Sequence, residues 1–305
     1  MTARRPAPLS TRQAWLRLLR PPNLPTVPGD PAAGFLVAWS VVYSSADGAT
    51  DDATTMLWRM APVAGAALLL YMAGLVGGDR VDIEEDRRHR PDRPLPSGAV
   101  SPRAATRAAL GLGLAGIAVA ALAGWMAAAA AAGVAALVAF YTLWAKHRVV
   151  TGSIVMGLCR GASVAMGAAA LGRGGFVWPL AVAAGGVAVY IAAVTRLAAE
   201  ETERTRLGFR RWLPAAGLLI CFALFFWIRK SAEGPSVLLP TVSVAWALYV
   251  GYLVGPAPAP ERLGPGIGRW IRGLLPIQAA FCVTGTGTAG LVTAAGLLVL
   301  WPVSK

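Results

Sequence analysis

Residues 78–98 read Gly78-Asp79-Arg80-Val81-Asp82-Ile83-Glu84-Glu85-Asp86-Arg87-Arg88-His89-Arg90-Pro91-Asp92-Arg93-Pro94-Leu95-Pro96-Ser97-Gly98. On an α-helix Asp79, Asp82 and Asp86 fall within a sector of about 60°, while Glu84 and Glu85 point elsewhere. Like charges at i,i+4 repel, so this face needs a counter-charge. Two sources stand open: a hard divalent cation, or the neighbouring Arg80, Arg87 and Arg88. Prolines 91, 94 and 96 with Gly98 make the following stretch a stiff, non-helical loop. That loop holds Arg90 and Arg93 beside the acidic helix end. Carboxylates for a metal, and arginine forks for phosphate oxygens, are the parts a diphosphate site needs.

The helix carrying those carboxylates lies in a chain unsuited to water. Of 305 residues, 56% are hydrophobic and only 14% charged, with a mean hydropathy of +0.58. A soluble domain carries roughly 25% charge. The reading is an integral all-α membrane protein forming one domain over 1–305. Nine apolar segments lie near the ~20 residues that span a bilayer: 24–44, 57–78, 104–122, 126–145, 150–171, 177–198, 212–229, 236–254 and 275–302. The third and fourth form one long Ala/Gly run, divided near Gly124. Pro25, Pro28 and Pro31 break the first segment. Such breaks persist where neighbours or a polar cavity satisfy the freed backbone groups, which points to a site near Asn23 and Asp30.

The net charge of +13 follows the same layout. Of 28 Lys and Arg, 22 fall in the N-terminal segment 1–20 and in the alternate connections 79–107, 146–148, 196–211 and 255–273. The positive-inside rule makes that side cytoplasmic. The N-terminus is then expected inside, and the C-terminus, at Lys305, outside. Basic charge is thereby explained by topology, and nucleic acid is excluded as a partner. The Pro/Gly-rich 255–273 stretch reads as an interfacial segment or a plain loop. Cys159, Cys221 and Cys282 lie in apolar runs without metal-type spacing and read as small buried hydrophobes.

The 79–98 stretch resembles the first aspartate-rich motif of the UbiA superfamily of intramembrane prenyltransferases. That motif runs Asn-Asp-x-x-Asp-x-x-x-Asp and then Arg-Pro-x-Arg-Pro-Leu-Pro-Ser-Gly, and positions 79, 82, 86 and 90–98 match it. Arg20-Pro21-Pro22-Asn23 and the stretch from Tyr141 to Arg148, followed by Gly152, are further points of resemblance. The resemblance implies nine transmembrane helices around a central cavity. It also implies Mg²⁺ held on a prenyl diphosphate by two acidic motifs, and an apolar tunnel for the prenyl chain. Metal binding then falls to Asp79, Asp82 and Asp86, and diphosphate binding to Arg90, Arg93, Lys146 and Arg148. Lys146 and Arg148 have the alternative of being positive-inside anchors. The expected location is a bacterial inner membrane, with membrane lipid around the chain and the active site facing the cytoplasm.

Two departures mark a divergent branch, one resembling the EboC-like members. Gly78 stands where the family has Asn. No Asp follows Asp92, so the family's second motif, Asp-x-x-x-Asp after helix six, is missing. Glu200 and Glu203 share a helical face there, either as replacements or as ordinary pairs with Arg204 and Arg206. Arg160, inside an apolar segment, is expected to face a cavity or an ion-pair partner. Asn23 and Asp30 are assigned to an acceptor pocket, with helix capping as the alternative. The expected function is Mg²⁺-dependent transfer of a prenyl group from a prenyl diphosphate to a small aromatic or alcohol acceptor. A non-catalytic lipid-binding or export role on the same fold is the alternative.

Overall fold

The computed structural model describes residues 10–43, 53–200, 206–230, 235–284 and 287–303. Among them every regular element is helical. The α-helices are α1 (Thr11–Leu19), α2 (Gly29–Tyr43), α3 (Ala53–Val81), α4 (Ile83–His89), α5 (Pro102–Ala121), α6 (Trp125–Leu143), α7 (Val149–Ala169), α8 (Trp178–Ala198), α9 (Leu213–Arg229), α10 (Pro235–Val254), α11 (Pro260–Arg272), α12 (Leu274–Val283) and α13 (Gly287–Val303).

Seven helices are long and apolar enough to cross a membrane: α3, α5, α6, α7, α8, α9 with its preceding turn, and α10. Their boundaries follow local chemistry. Ser101 caps α5, its side chain accepting from Ala104 N at 3.2 Å, and Pro102 opens the helix where a missing N–H costs nothing. The long Ala/Gly run breaks at Gly124, whose φ of +126° suits only glycine. The first apolar segment resolves into a 3₁₀ turn, Pro21–Thr26, and then α2, with Pro31 in the tolerant first turn.

The bundle core is α2, α7, α8 and α12, bordered by α3, α9 and α10. Backbones approach closely between α2 and α7. A Cβ on Gly34 would lie 1.8 Å from the Val164 carbonyl oxygen, and one on Gly167 would lie 1.9 Å from that of Pro31. Such small-residue contacts are what packing relies on when lipid removes the hydrophobic drive between helices. The outward faces of α5, α9 and α13 are apolar and exposed, with Leu114, Ile220 and Val292 among them. The three cysteines are buried and form no disulfide among the described residues.

The 275–302 segment departs from the single span expected. It forms α12 and α13, which pack against each other along their length. The Thr284 carbonyl, at the end of α12, accepts from Arg229 at the far end of α9. Trp301, near the end of α13, packs edge-on against Trp246 with ring centroids 4.9 Å apart, and Trp246 Nε1 donates to the Arg269 carbonyl in α11. α13 therefore runs back toward the α11 side. The opposite-sides expectation for the chain's end fails in this respect, although Lys305 itself lies outside the described residues. The 255–273 stretch is mostly the amphipathic helix α11. It buries Leu263, Ile267 and Trp270 against the bundle, and the Trp270 carbonyl accepts from Tyr190 Oη at 2.7 Å.

Candidate active site

The site forms where α3 ends. Asp82 interrupts the helix (φ −80°, ψ 3°), yet its N–H bonds to the Gly78 carbonyl and its own carbonyl accepts from Asp86 N. The near-continuous register keeps the three aspartates on one side. Asp79 and Asp86 are buried, Asp82 is half-buried, and Glu84 and Glu85 are exposed, as the helical phase requires.

Each aspartate meets a cation from elsewhere in the chain. Arg20 reaches Asp79 at 2.7 Å, Arg93 reaches Asp86 at 2.8 Å and Asp79 at 3.7 Å, and Lys146 pairs with Asp82. Of the neighbouring arginines, Arg87 instead pairs with the exposed Glu84 at 2.6 Å. Each of these pairs engages one oxygen of its carboxylate. No group of three His, Cys, Asp or Glu among the described residues converges in a metal-like cluster.

Arg20 is presented by an unusual backbone. Helix α1 starts at a capping box, Ser10 with Gln13, and packs Ala14 and Leu18 against Val76, Ile83 and Leu95. It stops at Arg20, which adopts the left-handed conformation at φ +47°, and Pro21-Pro22 follow. A non-glycine residue there is strained by roughly 1–2 kcal/mol. The turn aims the guanidinium at Asp79 and places Asn23 where its side chain bonds to Tyr71.

A second polar cluster lies inside the bundle. Arg160 in α7 pairs with the fully buried Asp30 of α2 at 2.9 Å and donates to the Thr26 carbonyl at 2.7 Å. Gln278 of α12 donates to Asp30 at 2.6 Å and to the same carbonyl at 2.7 Å. Arg160 thus has an ion-pair partner, and Asp30 is tied to α7 and α12 rather than acting only as a cap. Sequence reading missed Gln278, although a lone amide within an apolar segment is a signal.

The remaining residues separate. Arg148 lies over the Trp144 ring, 4.2 Å from its centroid. Arg90 lines a surface pocket of about 540 Å³ with Arg17, Arg20, Asp79, His89 and Arg93. Glu200, just past α8, pairs with Arg196 at 2.7 Å and with Arg210, a different pairing from the Arg204 alternative. Glu203 lies outside the described residues.

The UbiA prenyltransferase family profile matches residues 33–262, three quarters of the chain. The chain belongs to the UbiA prenyltransferase family. Among similar proteins is the digeranylgeranylglyceryl phosphate synthase of Methanopyrus kandleri, 33% identical over 157 residues, which are 52% of this chain and 53% of that one. The corresponding synthase of Methanoculleus marisnigri is 29% identical over 201 residues, 66% and 67% of the two chains. The chain thus spans about half the length of the first relative and two thirds of the second. A structure of digeranylgeranylglyceryl phosphate synthase in membranes superposes with a TM-score of 0.63 at 18% identity, covering 90% of this chain and 98% of that one. The UbiA homologue of Archaeoglobus fulgidus, bound to DMAPP and Mg²⁺, superposes with a TM-score of 0.51 at 16% identity, covering 88% and 99%. These likenesses extend the UbiA fold across nearly the whole chain.

Proposed function

We propose that this UbiA-family protein transfers a prenyl group from a prenyl diphosphate to a small hydroxyl-bearing acceptor at the membrane surface. The observation that carries the reading is the paired cluster at the end of α3. Asp79, Asp82 and Asp86 are each met by a cation from a different part of the chain. A diphosphate entering there finds Arg20, Arg93 and Lys146 gathered before it binds. Transfer breaks the allylic C1–O bond, and the electron pair leaves on the diphosphate. Cations already in place stabilise that charge without reorganising at the moment of reaction. The acceptor oxygen then bonds to C1 and its proton departs. Arg90 adds positive charge to the pocket that Arg20 and Arg93 line, and Asn23 bonds to Tyr71, which lies within the field of Arg20.

The donor set fits Mg²⁺. This cation takes hard oxygen ligands, commonly one or two carboxylates plus substrate phosphates, so a three-carboxylate cage is not required. One or two of Asp79, Asp82 and Asp86 would hold it, each of the three having one oxygen outside its ion pair. When bound, it would neutralise diphosphate charge. The related synthases are named for a glyceryl phosphate product, which supports an alcohol over an aromatic acceptor. The one-sided placement of the positive charge supports a cytoplasmic site.

The test is turnover of geranylgeranyl diphosphate by the purified protein with Mg²⁺, against a panel of glyceryl phosphate, alcohol and aromatic acceptors, with mass-spectrometric detection. A prenylated product from a hydroxyl acceptor is expected. Tight diphosphate binding with neither product nor diphosphate release would favour the second reading, a lipid-binding component. That reading rests on Glu200 being engaged by Arg196 and Arg210 where the family carries its second acidic motif.

A further inference from the structure

A second cleft, of about 260 Å³, lies between the end of α10 and α11, away from the aspartates. Leu253 and Val254 of α10 line it together with Glu261, Arg262, Pro265 and Arg269 of α11. On the helix, Arg262 and Arg269 are two turns apart and within about 20° of one another, while Leu263, Ile267 and Trp270 are buried against the bundle. The two helices are locked in place. Trp246 Nε1 of α10 donates to the Arg269 carbonyl at 3.0 Å, and Trp270 Nε1 of α11 donates to the Ala247 carbonyl at 3.2 Å. A Cβ on Gly266 would lie 2.4 Å from Val254 Cγ2, so a glycine permits this close approach. Arg269 is therefore drawn back beside a helix long and apolar enough to cross a membrane, and it is half-buried there. A charge so placed calls for a counter-charge. Neither Arg262 nor Arg269 pairs with a carboxylate among the described residues.

We propose that this cleft binds the phosphate of an anionic phospholipid, with Arg262 and Arg269 as its ligands and the acyl chains lying along α10. Guanidinium forks match phosphate oxygens, and basic pockets beside membrane helices are suited to anionic headgroups. Leu253 belongs to an exposed face of α10 that also carries Tyr249 and Tyr252, so the cleft opens next to a surface that acyl chains can cover. Tyrosines at such a position suit the headgroup level. The charge balance selects the headgroup. Two arginines against Glu261 leave the cleft net positive. Arg211 adds to this: its guanidinium lies 4.7 Å from the Trp212 ring centroid, and that ring packs on α10 at Gly251, one turn before the cleft. A net negative headgroup is thereby favoured over a zwitterionic one. The site is independent of the transferase reading, because none of its residues belongs to the cluster at the end of α3.

The experiment is native mass spectrometry of the full chain, delipidated in a maltoside detergent and titrated with phosphatidylglycerol, phosphatidylethanolamine or phosphatidylcholine of matched acyl chains. The first phosphatidylglycerol should bind at least tenfold more tightly than the first phosphatidylcholine. Arg262→Gln combined with Arg269→Gln should bring the two affinities within about twofold of each other. The bond from Trp246 goes to the Arg269 backbone, so this variant keeps the α10–α11 lock. Arg262→Lys combined with Arg269→Lys keeps the charge and should retain part of the preference, which separates loss of the site from loss of the fold. Arg103→Gln combined with Arg107→Gln, on α5, should leave the preference intact. An unchanged preference in the Arg262/Arg269 glutamine variant overturns the proposal. An equal loss in the α5 variant assigns the preference to overall charge and also overturns it. Displacement of phosphatidylglycerol by excess inorganic phosphate or by geranylgeranyl diphosphate assigns the binding to a free anion or to the donor site, with the same result. A preference for phosphatidylethanolamine that Glu261→Gln removes assigns the cleft to a zwitterionic headgroup and sinks the anionic one.

Discussion

The buried Asp30–Arg160 pair permits a sharp energetic test. Asp30 is fully buried, Arg160 is 8% exposed, and they meet at 2.9 Å. At that separation the attraction is of order 6 kcal/mol for an effective dielectric of ~20. Desolvation of both ions offsets much of it, so the pair's net value is small while the cost of breaking it is large, at about 3–5 kcal/mol. Asp30→Asn keeps the shape but leaves the Arg160 charge uncompensated, and Arg160→Met leaves the Asp30 charge with only Gln278 as a partner. Each single variant should lose about 3–5 kcal/mol. The double variant buries no charge, and the Thr26 carbonyl keeps its bond from Gln278. It should recover to within about 2 kcal/mol of wild type. The assay is SDS-driven unfolding in mixed micelles, followed by tryptophan fluorescence, for the four proteins of the cycle. Additive losses, or single variants within 1 kcal/mol of wild type, would refute the claim that the two charges stabilise each other.

Other perturbations separate site from scaffold. Asp82→Ala removes the partner of Lys146 at a polar helix end, so Mg²⁺-dependent turnover should fall by about 10²-fold or more while the unfolding midpoint barely moves; wild-type turnover would remove the carboxylate face from the mechanism. Glu200→Gln should cost about 1–3 kcal/mol of stability, because Arg196 and Arg210 lose a charged acceptor, while kcat stays within about threefold. A tenfold drop in kcat at unchanged stability would instead assign Glu200 to the reaction. Reporters inserted after Pro96 and fused after Val303 should report the same side of the membrane, since α13 returns along α12; opposite sides would rule out the hairpin.

Much of this architecture can be read from the chain because its determinants are local. Gly124 interrupts an Ala/Gly run of twice a bilayer span, and its positive φ is the conformation a glycine there permits. The spacing of Asp79, Asp82 and Asp86 sets their common side whatever packs around them. The division into α12 and α13 had a local signal too: the sequence Thr284-Gly285-Thr286-Gly287 sits in the middle of an apolar stretch longer than a span needs. Hydropathy averages over such a break, and a hairpin of two short helices scores like one long one.

The partners of the aspartates are of a different kind. Arg20 reaches Asp79 across 59 residues and Lys146 reaches Asp82 across 64, so helical periodicity says nothing about either. Arg80, Arg87 and Arg88 are nearer in sequence, yet nearness along a helix places charges on different faces as often as on one. Arg87 finds Glu84 on the exposed side, and the buried carboxylates are left to cations delivered by a strained turn, a proline loop and the α6–α7 connection. Because those three deliveries come from separate elements, the proposed transfer would let each yield its cation to a diphosphate without unravelling α3. A site assembled only from i,i+3 and i,i+4 neighbours would have to disrupt its own helix surface to exchange a carboxylate for a phosphate.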